Sequence, residues 1–240
     1  LQPTTDESIF SIRNASADNA GVNGALPNML GNPANGGRAL VQISPIIYNL
    51  PEWKCDDKRR TTLLQPYVTS TRTSYLSNKY KDAKTSTDPT PLIRYAEVIL
   101  NVAEAEARTG NTVRAVALLN AVRNRALANP LVDGFTIASF VSQEALVKAI
   151  LIERRIEFLA EGRRWADIHR LAPDAVYGTG GIPAKVGTGA ATTAMYSCGA
   201  GSSTYTTAVA AIPYSDYRFI WPIPLSETQQ NTNFEQNPNY

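Results

Sequence analysis

The chain has 240 residues, 43% hydrophobic and 18% charged, with Lys+Arg 23 against Asp+Glu 21, and is long enough to bury a core. A net charge of +2 excludes the clustered basic excess by which a protein tracks phosphates, so no nucleic acid is expected as a partner. One histidine, His169, and two distant cysteines, Cys55 and Cys198, exclude an intrachain zinc site of three or four nitrogen and sulfur ligands and exclude histidine-rich catalysis, so neither a metal nor a cofactor is expected.

The apolar run over residues 145–159 is broken by Lys148, Glu153, Arg154 and Arg155, short of the roughly 20 apolar residues a membrane span needs. The start, Leu1-Gln2-Pro3-Thr4-Thr5, carries no Met, basic stretch or apolar stretch, and is expected to continue from a longer chain. Cys55 and Cys198 are compatible with one disulfide or two free thiols; free thiols are the expectation.

Residues 7–13 alternate apolar and polar side chains and predict a short strand with one apolar face. Residues 14–37, dense in Asn and Gly, predict an irregular loop. Residues 39–47 and 61–68 are β-branched and predict extended segments flanking a polar turn at 54–60. From Pro91 onward Leu92, Tyr95, Ala96, Ile99, Val102 and Ala103 recur at helical spacing, with a second seam of Ile93, Leu100 and Ala107, so a helix packed on two sides is predicted.

Gly110 suits the C′ position of that helix, and Asn111 or Thr112 the cap of a second through Val116, Leu119, Val122 and Ala126. Gly110 with Ala115 has the small-residue spacing of a tetratricopeptide-type hairpin. Ser142 caps a third helix whose predicted core stripe is Ala145, Ala149, Ile152, Ile156 and Leu159, and a fourth follows Gly162 with Trp165, Ile168 and Leu171 inward. Residues 173–212, punctuated by glycines from Gly178 to Gly201 and including Gly189, form a low-complexity insertion with little core; its Tyr177, Tyr196 and Tyr205 are expected to be partly exposed or to pack over a surface. Residues 218–224 predict an extended edge segment, and Ser226 with Gln229 a capping box.

The predicted fold is mainly α: tetratricopeptide-like stacked α-hairpins with long irregular loops and a few short strands. Three segments of one domain are expected: a loop-rich part over 1–90, an α-hairpin core over 91–172, and an insertion with an extended end over 173–240.

The densest polar cluster comprises Glu153, Arg154, Arg155, Glu157, Glu161, Arg163, Arg164 and Asp167. Glu153, Glu157 and Glu161 share one helical stripe, where like charges repel unless cations interleave. A glycosidase needs paired carboxyls across a cleft. One helix face is a poor cleft, so the cluster is read as a structural ion network and no catalytic residue is expected. His169 lacks a neighbouring nucleophile and reads as a helix-end residue. Tyr95 and Trp165 sit at core spacing. Tyr48, Trp53 and Tyr75 lie beside turns and are candidates for stacking on sugar rings, with Asn19, Asn23 and Asn28 of the loop as candidate hydrogen-bonding partners.

Residues 91–100 with Ala103-Glu104-Ala105, residues 119–126, residues 150–158 with 161–167, and Trp221-Pro222-Ile223-Pro224 running to Gln236-Asn237-Pro238-Asn239-Tyr240 together resemble the SusD/RagB family of Bacteroidetes outer-membrane lipoproteins. Asp56-Asp57-Lys58-Arg59-Arg60 and Lys79-Tyr80 are similar to further motifs of that family. The resemblance implies a cell-surface nutrient-binding protein that captures an oligosaccharide, or peptide, and delivers it to a TonB-dependent, SusC-like outer-membrane transporter. It also implies a lipid anchor outside these residues as the sole membrane attachment, and a match to the C-terminal portion of longer members. A helical-repeat module whose main ligand is the transporter is the alternative expectation.

Overall fold

The computed structural model describes residues 5–187, 193–201, 205–231 and 233–240; the expectations placed on Leu1-Gln2-Pro3-Thr4 and on Gly189 lie outside the described residues. The chain divides into two compact units, one of residues 1–164 and 188–205, the other of residues 165–187 and 206–240.

In the first unit, β1 (Ser8–Ile12) forms as predicted and pairs antiparallel with β4 (Thr90–Arg94), Phe10 opposite Ile93 and Ser11 opposite Pro91. Its apolar side chains Ile9, Phe10 and Ile12 are exposed rather than buried. The 14–37 segment is not wholly irregular. Pro27 at the start of a turn seeds α1 (Leu26–Leu30), and Asn32 caps a single 3₁₀ turn over Pro33–Asn35. Gly37 then lies so close to Gly31 that a Cβ on it would come within 2.2 Å of that residue's carbonyl, which explains glycine there.

Residues predicted as extended become helical where caps are available. Ser44 caps α2 (Pro45–Tyr48), and Asp57, inside the predicted polar turn, caps α3 (Lys58–Thr62). The extended stretch therefore starts only at β2 (Leu64–Val68), paired with β3 (Thr73–Ser77), a strand with no counterpart in the sequence reading.

The helical core is α4 (Tyr95–Arg108), α5 (Thr112–Arg123) and α7 (Gln143–Glu157), with α4 packed on both α5 and α7. α4 begins four residues later than predicted, because residues 91–94 are drawn into the ladder with β1. Tyr95, expected in the core, is exposed, and the buried face is Ala96, Leu100, Ala103 and Ala107 with Glu104. Gly110 turns the chain at φ +89, and Asn111 accepts from the Arg114 amide to start α5. Ala115, fully buried, admits the close approach expected of the hairpin. This is the tetratricopeptide-like helical arrangement that the spacing predicted, with α6 (Pro130–Asp133) in the α5–α7 connection.

Ser142 caps α7 through the Ala145 amide at 3.1 Å. The face it buries is Leu146, Val147, Ile150, Glu153, Ile156 and Glu157, rotated from the predicted stripe, of which only Ile156 is fully inside. A second apolar cluster joins Ile43, Ile47, Trp53, Leu64 and Ile156. Cys55 and Cys198 form a disulfide with Cα atoms 5.5 Å apart, correcting the expectation of free thiols. Local sequence held no sign that residue 198 returns to residue 55.

The second unit contains most of α8 (Arg163–Arg170), two short ladders of β5 (Gly181–Ile182) with β8 (Ile212–Pro213) and β6 (Lys185–Val186) with β7 (Thr207–Val209), and α9 (Leu225–Gln230). The predicted Ser226 capping box is absent: α9 starts after Pro224 with no side-chain cap. The predicted extended segment is interrupted by a 3₁₀ turn over Tyr217–Phe219, capped by Asp216. Among the described residues no helix is long and apolar enough to cross a membrane, and no His, Cys, Asp and Glu side chains group as a metal site.

Candidate functional site

The most concentrated chemistry in the first unit lies where α7 ends. Asp57 caps α3 by accepting the Arg59 amide at 2.8 Å and also receives the Arg59 guanidinium, fixing that side chain's direction. Arg59 then reaches Glu153 at 2.6 Å and Glu157 at 3.0 Å. Arg123 of α5 contacts Glu153 at 3.2 Å. Arg94, at the junction of β4 and α4, holds Glu157 at 3.0 Å and Glu161 at 2.8 Å and also meets Glu7. Lys79, just after β3, pairs with Glu161 and donates to the Glu157 carbonyl at 2.7 Å; Arg125 pairs with Glu157 from a half-exposed position.

Five carboxylates (Glu7, Asp57, Glu153, Glu157, Glu161) thus face five cations (Arg59, Lys79, Arg94, Arg123, Arg125), so this group carries no net charge. Burial opposes ionisation of Glu157, but Arg125, Arg94, Arg59 and Lys79 outweigh it and hold the carboxyl down at about 2. Burial likewise opposes the charge on Arg59, and Glu153 and Asp57 more than compensate, raising its pKa. For Lys79 burial wins over Glu161, and its pKa is lowered. Two adjoining clefts of about 270 and 280 Å³ open beside the network and share Thr62, Leu63, Arg125 and Glu157.

The rest of the predicted cluster is dispersed. Arg154 donates to Asn101, and Arg163 reaches Glu97 at 3.0 Å. Arg155 is half-buried, and burial lowers its pKa against the attraction of Glu52. Arg164 is half-buried at the start of α8. Asp167, in the second unit, pairs with Arg170 at 2.8 Å.

The structure brings Tyr48, Trp53 and Tyr75 together. Tyr48 stacks on Tyr75 at 4.6 Å and meets Trp53 edge-on at 6.4 Å. Tyr196 meets both Tyr48 and Tyr75 edge-on and is buried, packed as one of its two expected placements had it but not partly exposed; its hydroxyl donates to the Ile43 carbonyl at 2.9 Å. Arg60 lies 4.7 Å from the Tyr48 ring centre and 4.2 Å from that of Trp53, while donating to the carbonyls of Tyr48, Trp53 and Lys54. The Tyr48 hydrogen bond, then burial, push the Tyr75 hydroxyl up to about 12. Trp53 is 1% exposed, so it has no open face on which a sugar could stack.

The three asparagines do not join these rings. Asn28 is buried, donating to the Ala83 carbonyl at 2.7 Å and accepting from Ser86. Asn19 braces its own loop through the Ala15 carbonyl and the Gly21 amide, and Asn23 accepts from Arg38 at 2.7 Å. Sequence reasoning missed Glu7, Asp57, Arg59, Lys79, Arg94, Arg123 and Arg125 as network members. For Asp57, Arg59 and Lys79 the signal was present in the motifs Asp56-Asp57-Lys58-Arg59-Arg60 and Lys79-Tyr80, which the network explains. Tyr196, in a Gly- and Ser-rich stretch, gave none.

In the second unit the His169 ring stacks on Phe219 at 4.2 Å and meets Trp165 at 4.4 Å, and its two nitrogens lie 3.0 Å from the Trp165 and Phe219 carbonyls. His169 is therefore a packed ring.

A helical-hairpin protein with a buried, charge-balanced network is the class this geometry defines. The chain belongs to the SusD family, whose model matches residues 55–240. It is 43% identical over 82 residues to a SusD-like protein of Formosa agariphila, a match covering 33% of this chain and 16% of that protein. It is similar in structure to a SusD superfamily protein from Bacteroides fragilis, with TM-score 0.66, 26% identity, and coverage of 96% of this chain and 46% of that one. A SusD-like carbohydrate binding protein from Bacteroides vulgatus, at 20% identity and TM-score 0.68, shares the fold over 97% of this chain and 49% of its own. The chain thus spans less than half the length of these relatives.

Proposed function

We propose that the chain is part of a non-catalytic, cell-surface nutrient-binding protein that takes up a neutral oligosaccharide and passes it to a TonB-dependent outer-membrane transporter. Membership of the SusD family carries this reading. It is supported by Glu153, Glu157 and Glu161, the carboxylates a glycosidase would recruit, each being held by buried cations. In this reading the protein is tethered to the outer membrane by a lipid outside these residues. Isothermal titration against neutral glycans and peptides tests it: saturable glycan binding without turnover is expected, and saturable binding of peptides alone overturns the carbohydrate assignment.

A second reading, a helical-repeat module whose main ligand is the transporter, draws on the exposed apolar side chains Ile9, Phe10, Ile12, Ile93 and Tyr95 along β1, β4 and the start of α4. Pull-down from outer membranes separates the two: recovery of a transporter by a chain with no measurable glycan affinity favours the second.

A further inference from the structure

His169, the one histidine of the chain, is held in the second unit between two acceptors. Its Nδ1 lies 3.0 Å from the carbonyl oxygen of Trp165, one turn earlier on α8, and its Nε2 lies 3.0 Å from the carbonyl oxygen of Phe219, in the 3₁₀ turn over Tyr217–Phe219. A carbonyl oxygen only accepts, so each contact needs an N–H on the ring. A neutral imidazole carries one N–H and leaves a lone pair facing the second oxygen, whereas the imidazolium donates to both.

The surroundings suit the charged ring. Phe219 stacks on it at 4.2 Å with 12° between planes, and Trp165 meets it at 4.4 Å; an aromatic face attracts a cation. His169 also stands in the last turn of α8, where the carbonyl end of a helix favours positive charge. The charged groups nearest in sequence on the two elements that touch the ring cancel in pairs: Asp167 holds Arg170 at 2.8 Å on α8, and Asp216 holds Arg218 at 2.7 Å at the turn. Arg163 and Arg164 lie at the opposite end of α8, Tyr217 carries its phenol on the turn, and Tyr214 packs edge-on against Phe219 at 5.0 Å. The other charged side chains of the unit, Asp174, Lys185, Glu227 and Glu235, lie outside both elements. The ring is thus gripped by two neutral carbonyls, with the adjoining carboxylates committed to arginines.

We propose that His169 is a proton-operated clasp joining α8 to the Tyr217–Phe219 turn. Charged, the ring donates to both carbonyls and holds the turn on the helix. When the proton leaves as pH rises, one carbonyl loses its donor and the turn opens more often, so protonation of a single side chain biases a local equilibrium. Within the turn the Phe219 amide donates to the Asp216 carbonyl at 3.0 Å and the Ile220 amide to the Tyr217 carbonyl at 3.2 Å, so these two amides report its opening. The clasp stands on this geometry alone and is independent of what the protein binds.

With a single histidine, labelling that residue with heavy nitrogen gives one pair of ring signals. In the full chain, two ring N–H protons are expected at the acid end of the window from about pH 5 to 8 in which imidazole changes charge, and one at the alkaline end. Over the same titration the exchange protection of the Phe219 and Ile220 amides, corrected for intrinsic exchange, should fall about tenfold, the worth of one lost hydrogen bond. His169→Phe keeps a ring against Phe219 and should show the lower protection throughout, with no such fall. The proposal is overturned by a ring that keeps the same number of N–H protons across the window, by amide protection that stays level while the ring loses its proton, or by an equal fall in His169→Phe, which would assign the effect to another group. The titration of the unsubstituted chain decides the matter even if His169→Phe fails to fold.

Discussion

Arg59 and Glu153 lie 94 positions apart in the chain, and their side chains meet at 2.6 Å where neither is more than 7% exposed. The same guanidinium holds Asp57 and Glu157, so it serves three carboxylates that burial would otherwise penalise. The attraction between such partners does little more than offset their desolvation. Removing one partner is a different matter, because the carboxylates stay buried with one cation too few, and Asp57 loses the guanidinium that pairs with it.

Arg59→Met is therefore expected to lower stability by about 3–5 kcal/mol, read from urea unfolding. Lys148→Ala, which breaks the exposed Glu144–Lys148 pair on α7, should cost no more than about 1 kcal/mol. Equal costs for the two would show that the buried network is not integral to the core.

Acid should dismantle the same network. Glu157 is held down to about 2 against an ordinary value of 4.5. Its folded pKa is depressed, so its contribution is complete above the unfolded value and is lost as pH falls through the folded one. The urea midpoint is expected to be level above pH 4.5 and to drop between 4.5 and about 2. Glu157→Gln should begin less stable and lose less over that window; a parallel curve would remove Glu157 as the titrating group.

The Cys55–Cys198 disulfide, across a sequence separation of 143, is expected to add about 2–4 kcal/mol by restricting the unfolded chain. Scanning calorimetry should show a lower melting temperature after reduction and in Cys55→Ser/Cys198→Ser. Thiol titration of the unfolded, unreduced protein should detect no thiol, and finding both cysteines reactive would return the chain to the free-thiol expectation.

The α4–α5 turn separates a backbone cost from a packing cost. A Cβ on Gly110 would meet nothing within 4 Å, so Gly110→Ala should lose about 1 kcal/mol through its φ of +89 alone, and Gly110→Asn less, since asparagine tolerates the left-handed region. Ala115→Leu, at a fully buried position, should cost about 1–3 kcal/mol through overpacking. Thermal unfolding of the three variants checks the order, and a neutral Ala115→Leu would show that the hairpin is loosely packed.

Local signals carried the helical hairpin well. Gly110, Asn111 and Ser142 act over three or four residues, and they sit where turn and cap chemistry requires them. The same signals were silent on α7's orientation. An apolar stripe through Ala145 and Ala149 looked inward because it avoids Glu153 and Glu157, yet those glutamates are inside, since Arg59, Arg94 and Arg123 arrive from three other elements to neutralise them. Residues 91–94 read as helix for a related reason: their apolar side chains fit either period, and only the strand at Ser8–Ile12 selects the extended form. Tyr48, Trp53 and Tyr75 were legible as aromatics beside turns but not as one closed group, because Tyr196 reaches Tyr48 and Tyr75 from far along the chain.

The helical class, the hairpin turn, the caps and the charge-rich end of α7 are local properties, legible from neighbours within a turn or two of helix. The buried face of α7, the meeting of Cys55 with Cys198 and the choice of aromatic rings left open to solvent arise only once the chain is folded. Those outcomes depend on pairs brought together across most of the chain, where a side chain's burial is set by the charge or ring that meets it rather than by its own polarity.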